Sequence, residues 1–377
     1  MDYNRKIYQK ILNNLFQEKI IILYGPRRTG KTTLSKKILE NFPDKSRYIN
    51  CELLENQEGL KTTNSIALKT FLGETKLIVL DEAQKIKNIG QILKILVDTF
   101  PGIQIIATGS SSFDLLNQTG EPLTGRMDKY MLYPLSLEEV KDNFDGSKLI
   151  GSLENFLRFG NYPSVFNKTE KEAIKNLNEI TSNYLYKDIL EFEKIKKSDF
   201  LIDLLRALAF QLSGEVTYHE LSDKLQMESR TIQKYISLLE KSFIIFRLRS
   251  FRRNLRNEIG KSFKVYFYDL GVRNSLIQNF NSLKLRNDVG ALFENFCIVE
   301  RLKFNNYNDF FVNSYFWRTY TQKEIDYLEE SQGELRTYEF KWNPNKNPKK
   351  PKEFLDTYQN SSFQVIDRTN FWDFLLK

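Results

Sequence analysis

The feature that most constrains the fold is an eight-residue loop between a short apolar run and a stretch with helical spacing. The loop, Gly25-Pro26-Arg27-Arg28-Thr29-Gly30-Lys31-Thr32, matches the pattern G-x4-G-K-[ST] in full. The apolar run Ile20–Tyr24 precedes it, and residues 31–41 follow with the periodicity of a helix. A buried strand that leads through such a loop into a helix belongs to a parallel sheet covered by helices. The segment therefore predicts an α/β fold.

The residue types in this loop suit a phosphate ligand. Glycines at positions 25 and 30 let the backbone curl until consecutive N–H groups face inward, and the helix that starts near Gly30 adds the positive end of its dipole. Lys31 would bring a full charge to the β and γ phosphates, and the Thr32 hydroxyl is a hard oxygen ligand for Mg²⁺. We therefore predict that ATP and Mg²⁺ bind here. The predicted nucleotide-binding residues of this segment are Gly25, Pro26, Arg27, Arg28, Thr29, Gly30, Lys31, Thr32 and Thr33, the last of which we expect to cap or pack.

A second motif places two acids after another apolar run. Residues 77–80 are Leu-Ile-Val-Leu, and Asp81 and Glu82 follow directly. Because parallel strands end at one edge of the sheet, these carboxylates are expected beside the phosphate loop. We predict that Asp81 holds the hydration shell of Mg²⁺ and that Glu82 orients and polarises the attacking water. The acid pair favours a hydrolase over a kinase that uses the same loop.

The remaining length predicts further domains, since 377 residues correspond to roughly two to three domains. Apolar runs and amphipathic stretches alternate up to about residue 135. The pattern then turns helical, beginning with the capping-box spacing of Ser136 and Glu139. We predict a P-loop core at 1–135 and a helical lid at 136–195. The motifs and the resemblance described below add a winged-helix module at 196–275 and an α/β nuclease-like domain at 285–377.

Composition excludes several classes of site. Two cysteines give no disulfide framework and indicate a reducing, cytoplasmic setting. One histidine, His219, argues against a zinc site of Cys and His ligands and against a Ser-His-Asp triad. No apolar run approaches the roughly 18 residues that a membrane helix needs, and the start of the chain has no secretory pattern, so we expect no membrane partner.

The motifs resemble those of AAA-type ATPases, and more narrowly a prokaryotic family that carries a C-terminal domain of the restriction-endonuclease-like kind. The matching segments are Asp81-Glu82-Ala83-Gln84, Thr108-Gly109-Ser110, Leu123-Thr124-Gly125-Arg126, Tyr133-Pro134-Leu135-Ser136 and Phe159-Gly160-Asn161-Tyr162-Pro163. The resemblance implies a sensor role for Thr108 or Ser110, with a turn-capping role as the alternative. It also implies that Arg126 is an arginine finger or sensor, acting in its own chain or in a neighbouring copy. The alternative for Arg126 is a structural pair with a carboxylate.

The middle segment has the order of a winged helix, with two short helices followed by strands. Residues 217–225 and 229–239 form the helices, and the second has one apolar face. In a DNA-binding version its exposed residues Arg230, Gln233 and Lys234 would contact bases or phosphates. From Lys241 to Lys264, eight basic residues face one acid, which favours an anionic partner such as DNA. A second basic run spans residues 341–352. Solvated faces and protein docking remain open as alternatives.

Acids and a lysine recur near the end of the chain. Glu339 and Lys341 share one face of a predicted strand, and Asp326 lies on the strand before it. Asp326 and Glu339 would bind Mg²⁺ while Lys341 positions a water, as in metal-assisted phosphodiester hydrolysis. The resemblance adds Glu294 as a helical acid, although Ile325 stands where that family commonly has proline. A surface salt-bridge cluster is the alternative.

Together these observations predict a Mg²⁺-dependent ATPase whose nucleotide state rearranges the modules that follow. An ATP-gated DNA-processing factor or nuclease and an ATP-switched protein-docking scaffold are the alternatives. DNA, a partner protein and further copies of the chain are the candidate partners besides the nucleotide.

Overall fold

The structure is a computed structural model that describes residues 3–110, 119, 122–141, 146–185, 198–251, 262–319, 323–346 and 348–376. It divides into two compact units. The first comprises Met1–Leu135 with Lys241–Phe243, and the second comprises Ser136–Glu240 with Ile244–Lys377.

The first unit is built on a five-stranded sheet whose strands all run parallel. The strands are β1 (Ile20–Tyr24), β2 (Ser46–Asn50), β3 (Leu77–Asp81), β4 (Gln104–Gly109) and β5 (Met127–Met131), in the order β2-β3-β4-β1-β5. The three central strands, β3, β4 and β1, are apolar on both faces because helices cover the sheet. This confirms the predicted α/β class.

Short helices precede β1 and connect the strands that follow. They are α1 (Lys6–Asn13), α2 (Lys31–Leu39), α3 (Leu54–Gly59), α4 (Ser65–Leu72) and α5 (Ile89–Thr99). One cluster of buried side chains joins β1, β3 and β4 to α4 and α5. Since β4 lies between β1 and β3, the carboxyl ends of all three strands meet at one edge of the sheet.

The first half of the second unit is mostly helical. The described helices of the whole second unit are α6 (Leu137–Val140), α7 (Gly146–Phe159), α8 (Glu170–Glu179), α9 (Ser198–Phe210), α10 (Tyr218–Leu225), α11 (Ser229–Lys241), α12 (Leu270–Leu276), α13 (Val289–Tyr307), α14 (Lys352–Thr357) and α15 (Phe371–Leu376), and a π-helical turn at Ile180–Leu185 continues α8. The predicted capping box is present, because Ser136 accepts a hydrogen bond from the N–H of Glu139 and the Glu139 carboxylate accepts one from the N–H of Ser136. Residues 186–195 of the predicted lid lie outside the described part of the chain.

A seven-stranded mixed sheet runs through the second unit. Its strands are β6 (Glu215–Val216), β7 (Ile245–Ser250), β8 (Phe263–Phe267), β9 (Asn313–Arg318), β10 (Glu324–Ser331), β11 (Glu334–Lys341) and β12 (Ser361–Asp367), in the order β12-β11-β10-β9-β7-β8-β6. Strand β7 pairs in parallel with β9 through Arg249–Tyr315 and Ser250–Phe316. The strands of the predicted winged helix and of the predicted nuclease-like domain therefore form one sheet.

Among the described residues, no helix has both the length and the apolar composition needed to span a membrane. The two cysteines, Cys51 and Cys297, are free and buried.

Candidate nucleotide-binding site

The phosphate loop connects β1 to α2 at the carboxyl edge of the first sheet. Gly25 has φ +142°, and a Cβ added there would collide with the carbonyl oxygen of Leu132, so only glycine fits. Gly30 has φ +97° and occupies the N-cap position of α2. The Gly25 and Gly30 conformations turn the chain sharply on both sides of the loop, as the sequence predicted.

Lys31 points back into this loop. Its ammonium is buried and donates to the carbonyl oxygens of Gly25 (2.9 Å) and Pro26 (2.8 Å). Thr29 is fully buried, and its hydroxyl also donates to the Pro26 carbonyl at 2.9 Å. The ammonium is therefore held inside the curl of the loop, where the phosphates of a nucleotide would meet it.

Asp81, the last residue of β3, accepts hydrogen bonds from three hydroxyl groups. The Thr32 hydroxyl lies 2.9 Å from Oδ2 and 3.2 Å from Oδ1. The Thr108 hydroxyl donates to Oδ1 at 2.5 Å, and the Tyr48 hydroxyl donates to Oδ2 at 2.6 Å. Thr108 thus contacts the acid pair from β4, at the position predicted for a sensor. Tyr48 was not predicted, because nothing in the sequence indicates which residue of the neighbouring strand β2 faces Asp81.

Glu82 leaves the strand in a left-handed conformation, with φ +54°. Its backbone N–H donates to the Thr108 hydroxyl at 3.1 Å. Its carboxylate accepts a hydrogen bond from the side-chain amide of Gln84 at 2.5 Å, and the same amide lies 3.4 Å from the hydroxyl of Ser110. Ser110 therefore touches the acid pair only through Gln84. A left-handed backbone is costly for a non-glycine residue and is retained mainly where the surrounding structure fixes it.

The donor set at this edge suits magnesium. Thr32 and Asp81 offer hydroxyl and carboxylate oxygens within hydrogen-bonding distance of each other, and Mg²⁺ prefers hard oxygen ligands while keeping several waters. Thr32 directly follows Lys31, and Asp81 directly precedes Glu82. A metal held by Thr32 and Asp81 would therefore lie between the phosphate loop and the proposed base.

Arg5 of the segment before α1 is a site residue that sequence reasoning missed. The residue is 8% exposed, and its guanidinium donates to the carbonyl oxygens of Thr29 and Tyr133, each at 2.6 Å. It thereby ties the phosphate loop to the segment after β5. One arginine near the start of a chain carries no pattern that marks it, and only the packing of α1 brings it to the loop.

Arg126 lies at the other edge of the sheet. The Arg126 carbonyl accepts a hydrogen bond from the N–H of Ile20, at the start of β1. The phosphate loop begins after the other end of β1, which at 3.3 Å per residue is about 16 Å away. This distance separates Arg126 from the loop. Its guanidinium pairs with Asp98 at 2.7 Å. Within its own chain Arg126 thus makes the carboxylate pair that was the structural alternative. Thr33 is exposed on α2 and lies outside the loop.

Burial and the acid pair raise the pKa of neighbouring groups. Burial, followed by the charges of Asp81 and Glu82, raises the pKa of Cys51 to about 12. The pKa of Tyr48 is also raised, by burial and by its hydrogen bond to Asp81. Both groups therefore stay protonated near neutral pH, and Tyr48 remains a donor to the carboxylate.

The second unit gathers the predicted C-terminal residues into one cluster. Lys341 Nζ lies 2.6 Å from Glu339 Oε1 and 3.9 Å from Asp326 Oδ2. Glu294 on α13 accepts a hydrogen bond from the Tyr266 hydroxyl at 2.7 Å. The sequence thus placed Glu294, Asp326, Glu339 and Lys341 correctly on their elements, and the fold brings them together. Phe340 faces the core, as the strand alternation requires.

A lysine that was not assigned to this cluster lies inside it. Lys264 on β8 is 2% exposed, and its ammonium lies 2.5 Å from Glu324, 3.4 Å from Glu294 and 3.7 Å from Asp326. Burial alone would lower the pKa of Lys264, but the three carboxylates raise it above its usual value. Burial raises the pKa of Glu294 to about 8.

These ammonium groups bear on the predicted C-terminal metal. Lys264 and Lys341 supply the positive charge that a divalent ion would bring to Asp326 and Glu339. Across the described ranges, no group of three or more His, Cys, Asp or Glu side chains is arranged to hold a metal ion. The cluster as folded therefore fits internal salt bridges better than a metal.

The predicted basic surface is smaller than the sequence suggested. Lys264 is buried, and Arg247 pairs with Glu240 and Tyr218, so neither belongs to an open basic face. The stretch 252–261, which holds Arg252, Arg253, Arg256 and Lys261, lies outside the described residues. On α11, Arg230, Gln233 and Lys234 are exposed, whereas Ile232, Ile236 and Leu239 are fully buried, as the periodicity predicted. His219 is exposed and pairs with Asp223 at 2.9 Å.

Comparison with known proteins divides the chain into three parts. An AAA domain matches residues 17–141, and the domains of unknown function DUF8612 and DUF4143 match residues 150–283 and 289–370. An uncharacterized protein of Mycobacterium tuberculosis is 25% identical over 331 residues, which cover 87% of this chain and 71% of that protein. An uncharacterized protein of Methanocaldococcus jannaschii is 28% identical over 325 residues, covering 79% of this chain and 68% of that one.

Among solved structures, the RuvB Holliday junction branch migration motor of Thermotoga maritima is similar over 65% of this chain and 90% of that chain, at 16% identity and a TM-score of 0.34. The AAA match includes both the Gly25–Thr32 loop and Asp81–Glu82, and it supports nucleotide binding and hydrolysis. The chain thus joins a segment similar to AAA domains to two segments similar to domains of unknown function.

Proposed function

We propose that this chain is a Mg²⁺-dependent ATPase of AAA type. The observation that carries the proposal is the convergence of Lys31, Thr32, Asp81 and Glu82 at the carboxyl edge of one parallel sheet, with the Thr32 hydroxyl 2.9 Å from the Asp81 carboxylate. We expect the protein in the cytoplasm, because both of its cysteines are free thiols, as is usual in a reducing compartment.

Each residue of the site has a separate role in ATP hydrolysis. Lys31 exchanges its hydrogen bonds to loop carbonyls for bonds to the β and γ phosphates, and the inward N–H groups of the loop hold the same oxygens. Thr32 and Asp81 would hold Mg²⁺, which would supply positive charge against the negative charge that develops on the phosphates. Glu82 orients the attacking water and accepts its proton, while Thr108 fixes the backbone of Glu82 from β4.

Steady-state ATP turnover tests this assignment. Lys31→Ala should lose ATP binding, and Glu82→Gln should keep binding but hydrolyse about 10²–10⁴-fold more slowly, because only the proton acceptor is gone. Lys94→Ala, an exposed lysine on α5, is the matched control and should behave as wild type. Equal turnover by wild type, Lys31→Ala and Glu82→Gln would end the proposal.

We also propose that nucleotide state is passed to the second unit, so that ATP and ADP favour different arrangements of residues 136–377. Such coupling requires different contacts in the two states. Hydrogen exchange of residues 198–251 with ATP and with ADP measures it, and identical protection in both states would contradict it.

A second candidate is an ATP-gated DNA-processing factor or nuclease. It is supported by the meeting of Glu294, Asp326, Glu339 and Lys341 in one cluster, and by the exposed polar face of α11. Because the cluster fits internal salt bridges better than a metal, the deciding measurement is nicking of supercoiled plasmid with and without Mg²⁺ or Mn²⁺; nicking that is abolished by Asp326→Ala and by Lys341→Ala would support this candidate. ATP turnover without nicking and without any response to DNA would instead favour the protein-docking scaffold.

A further inference from the structure

Gln84 belongs to the motif Asp81-Glu82-Ala83-Gln84, but the proposed mechanism gives it no role. After Glu82 the chain makes a single 3₁₀ turn, Ala83–Lys85. Ala83 and Ile86, which lie on either side of Gln84 in the sequence, are buried in the apolar cluster that joins the first sheet to α4 and α5. Because close packing of these two side chains fixes the turn, the backbone of Gln84 has a defined position beside Glu82.

The side-chain amide of Gln84 lies between the ends of two neighbouring strands. Its Nε2 donates to Oε2 of Glu82, which directly follows β3. The same nitrogen lies 3.4 Å from the hydroxyl oxygen of Ser110, which directly follows β4 and is 8% exposed. An amide nitrogen carries two hydrogens, so both contacts can be made at once. The amide thus links the carboxylate of Glu82 to the end of β4.

Glu82 is therefore held at its backbone and at its carboxylate by different residues. Its N–H donates to the Thr108 hydroxyl at 3.1 Å, and its carboxylate accepts from Gln84. A free glutamate side chain rotates about several bonds, and each restraint removes orientations that are unproductive for the reaction. A general base must lie within hydrogen-bonding reach of the proton it accepts, so a base whose direction is set before ATP binds reacts faster.

The hydrogen bond from Gln84 is compatible with the role of Glu82 as a base. An ionised carboxylate has two oxygens with about four acceptor positions, and one amide hydrogen occupies one of them. The contact can therefore persist while the carboxylate accepts a proton from water. A hydrogen bond to an ionised group is also stronger than one between neutral groups, which makes Gln84 an effective restraint.

We propose that Gln84 is a positioning residue for ATP hydrolysis. Its amide holds the Glu82 carboxylate in the orientation from which that carboxylate accepts the proton of the attacking water, and Ser110 helps to hold the amide. This inference rests on the proposed role of Glu82 as the base. Gln84 acts on the reaction through Glu82 and not through contact with the nucleotide.

Steady-state ATP turnover of the full chain separates kcat from KM. Gln84→Met fills a similar space but has no amide donor, so kcat should fall about tenfold to a hundredfold, as expected for a lost hydrogen bond to a charged group. The KM for ATP should stay within about twofold of wild type, because the phosphate loop is unchanged. Gln91→Met, at an exposed position of α5, is the matched control and should behave as wild type. The thermal midpoint of each variant shows whether it is folded.

A double-mutant cycle shows whether Gln84 acts through Glu82. Single-turnover hydrolysis is compared in wild type, Gln84→Met, Glu82→Gln and the double variant. With the base already removed, the added Gln84→Met change should alter the rate less than about twofold. A further tenfold loss in the double variant would mean that Gln84 acts elsewhere, and it would overturn the proposal.

The same measurements distinguish failure of this inference from failure of the proposed function. If Glu82→Gln is slow while folded Gln84→Met keeps the wild-type kcat, the positioning role is wrong and the ATPase assignment stands. If Glu82→Gln turns over as fast as wild type, Glu82 is not the base, and both the proposed mechanism and this inference are wrong. A raised KM with unchanged kcat in Gln84→Met would indicate a role in binding ATP and would also refute the positioning role.

Discussion

Replacement of Arg5 by alanine tests whether the start of the chain holds the phosphate loop in shape. Arg5 is 8% exposed and makes two hydrogen bonds of 2.6 Å, to the carbonyls of Thr29 and Tyr133. Hydrogen bonds to charged groups contribute about 1.5–3 kcal/mol each, and water entering the space of the lost side chain recovers part of that. We expect a net loss of about 3 kcal/mol, or about 10 °C in the unfolding midpoint of the first unit.

The same change should weaken ATP binding. Thr29 lies inside the loop, so a loop without its anchor must be ordered by the nucleotide itself, at a cost of about 1.4 kcal/mol or tenfold in affinity. Scanning calorimetry and titration calorimetry measure the two effects. Arg5→Lys should recover part of each, because one ammonium can reach one carbonyl. Lys6→Ala, which changes the exposed neighbouring residue at the start of α1, is the control. An Arg5→Ala protein that melts within about 2 °C of wild type and binds ATP equally well would refute the reasoning.

Three further predictions concern other groups. Tyr48→Phe should lower the Mg²⁺ concentration for half-maximal ATP turnover up to about tenfold, because it removes a donor that occupies Asp81; an unchanged or higher requirement would contradict this. Cys51 and Cys297 should resist a thiol reagent at pH 8 until the chain unfolds, since burial raises the pKa of both thiols; rapid reaction of the native protein would argue otherwise. Burial raises the pKa of Glu294 from 4.5 to about 8, so the folded state retains a proton that the unfolded state has lost. Wild type should therefore lose stability relative to Glu294→Gln as pH rises from 4.5 through 8, as measured by urea unfolding, and parallel pH profiles would refute it.

Much of the first sheet could be predicted from the sequence, because each of its strands is marked by a run of neighbouring apolar residues. The apolar run Ile20–Tyr24 coincides with β1, and the run at residues 77–80 forms all of β3 except its last residue, Asp81. The loop at Gly25–Thr32 contains the glycines that its sharp turns require. Since parallel strands end at a common edge, these runs alone predict that the loop and the acids meet. The hydrogen-bond partners of Asp81 were harder to predict from the sequence. Tyr48, for example, contacts Asp81 only because β2 pairs with β3.

Domain organisation depends on contacts between residues that are far apart in the sequence. The predicted winged helix and nuclease-like domain were separated near residue 280, yet β7 and β9 pair across that point. Periodicity describes each strand but not its neighbour in the sheet. Pairing over more than sixty residues leaves no local signal.

The sequence by itself determined the parallel sheet, the phosphate loop and the carboxylates that follow β3, because each depends on the order of apolar, glycine and charged residues over a few positions. Three contacts were decided by tertiary structure alone: Arg5 binds the phosphate loop, Gln84 donates to Glu82, and Lys264 pairs with the acidic cluster of the second unit. The physical reason is the same in each case. A long polar side chain is buried only when the complete fold supplies its partners, and those partners come from elements or turns whose approach no short stretch of sequence specifies.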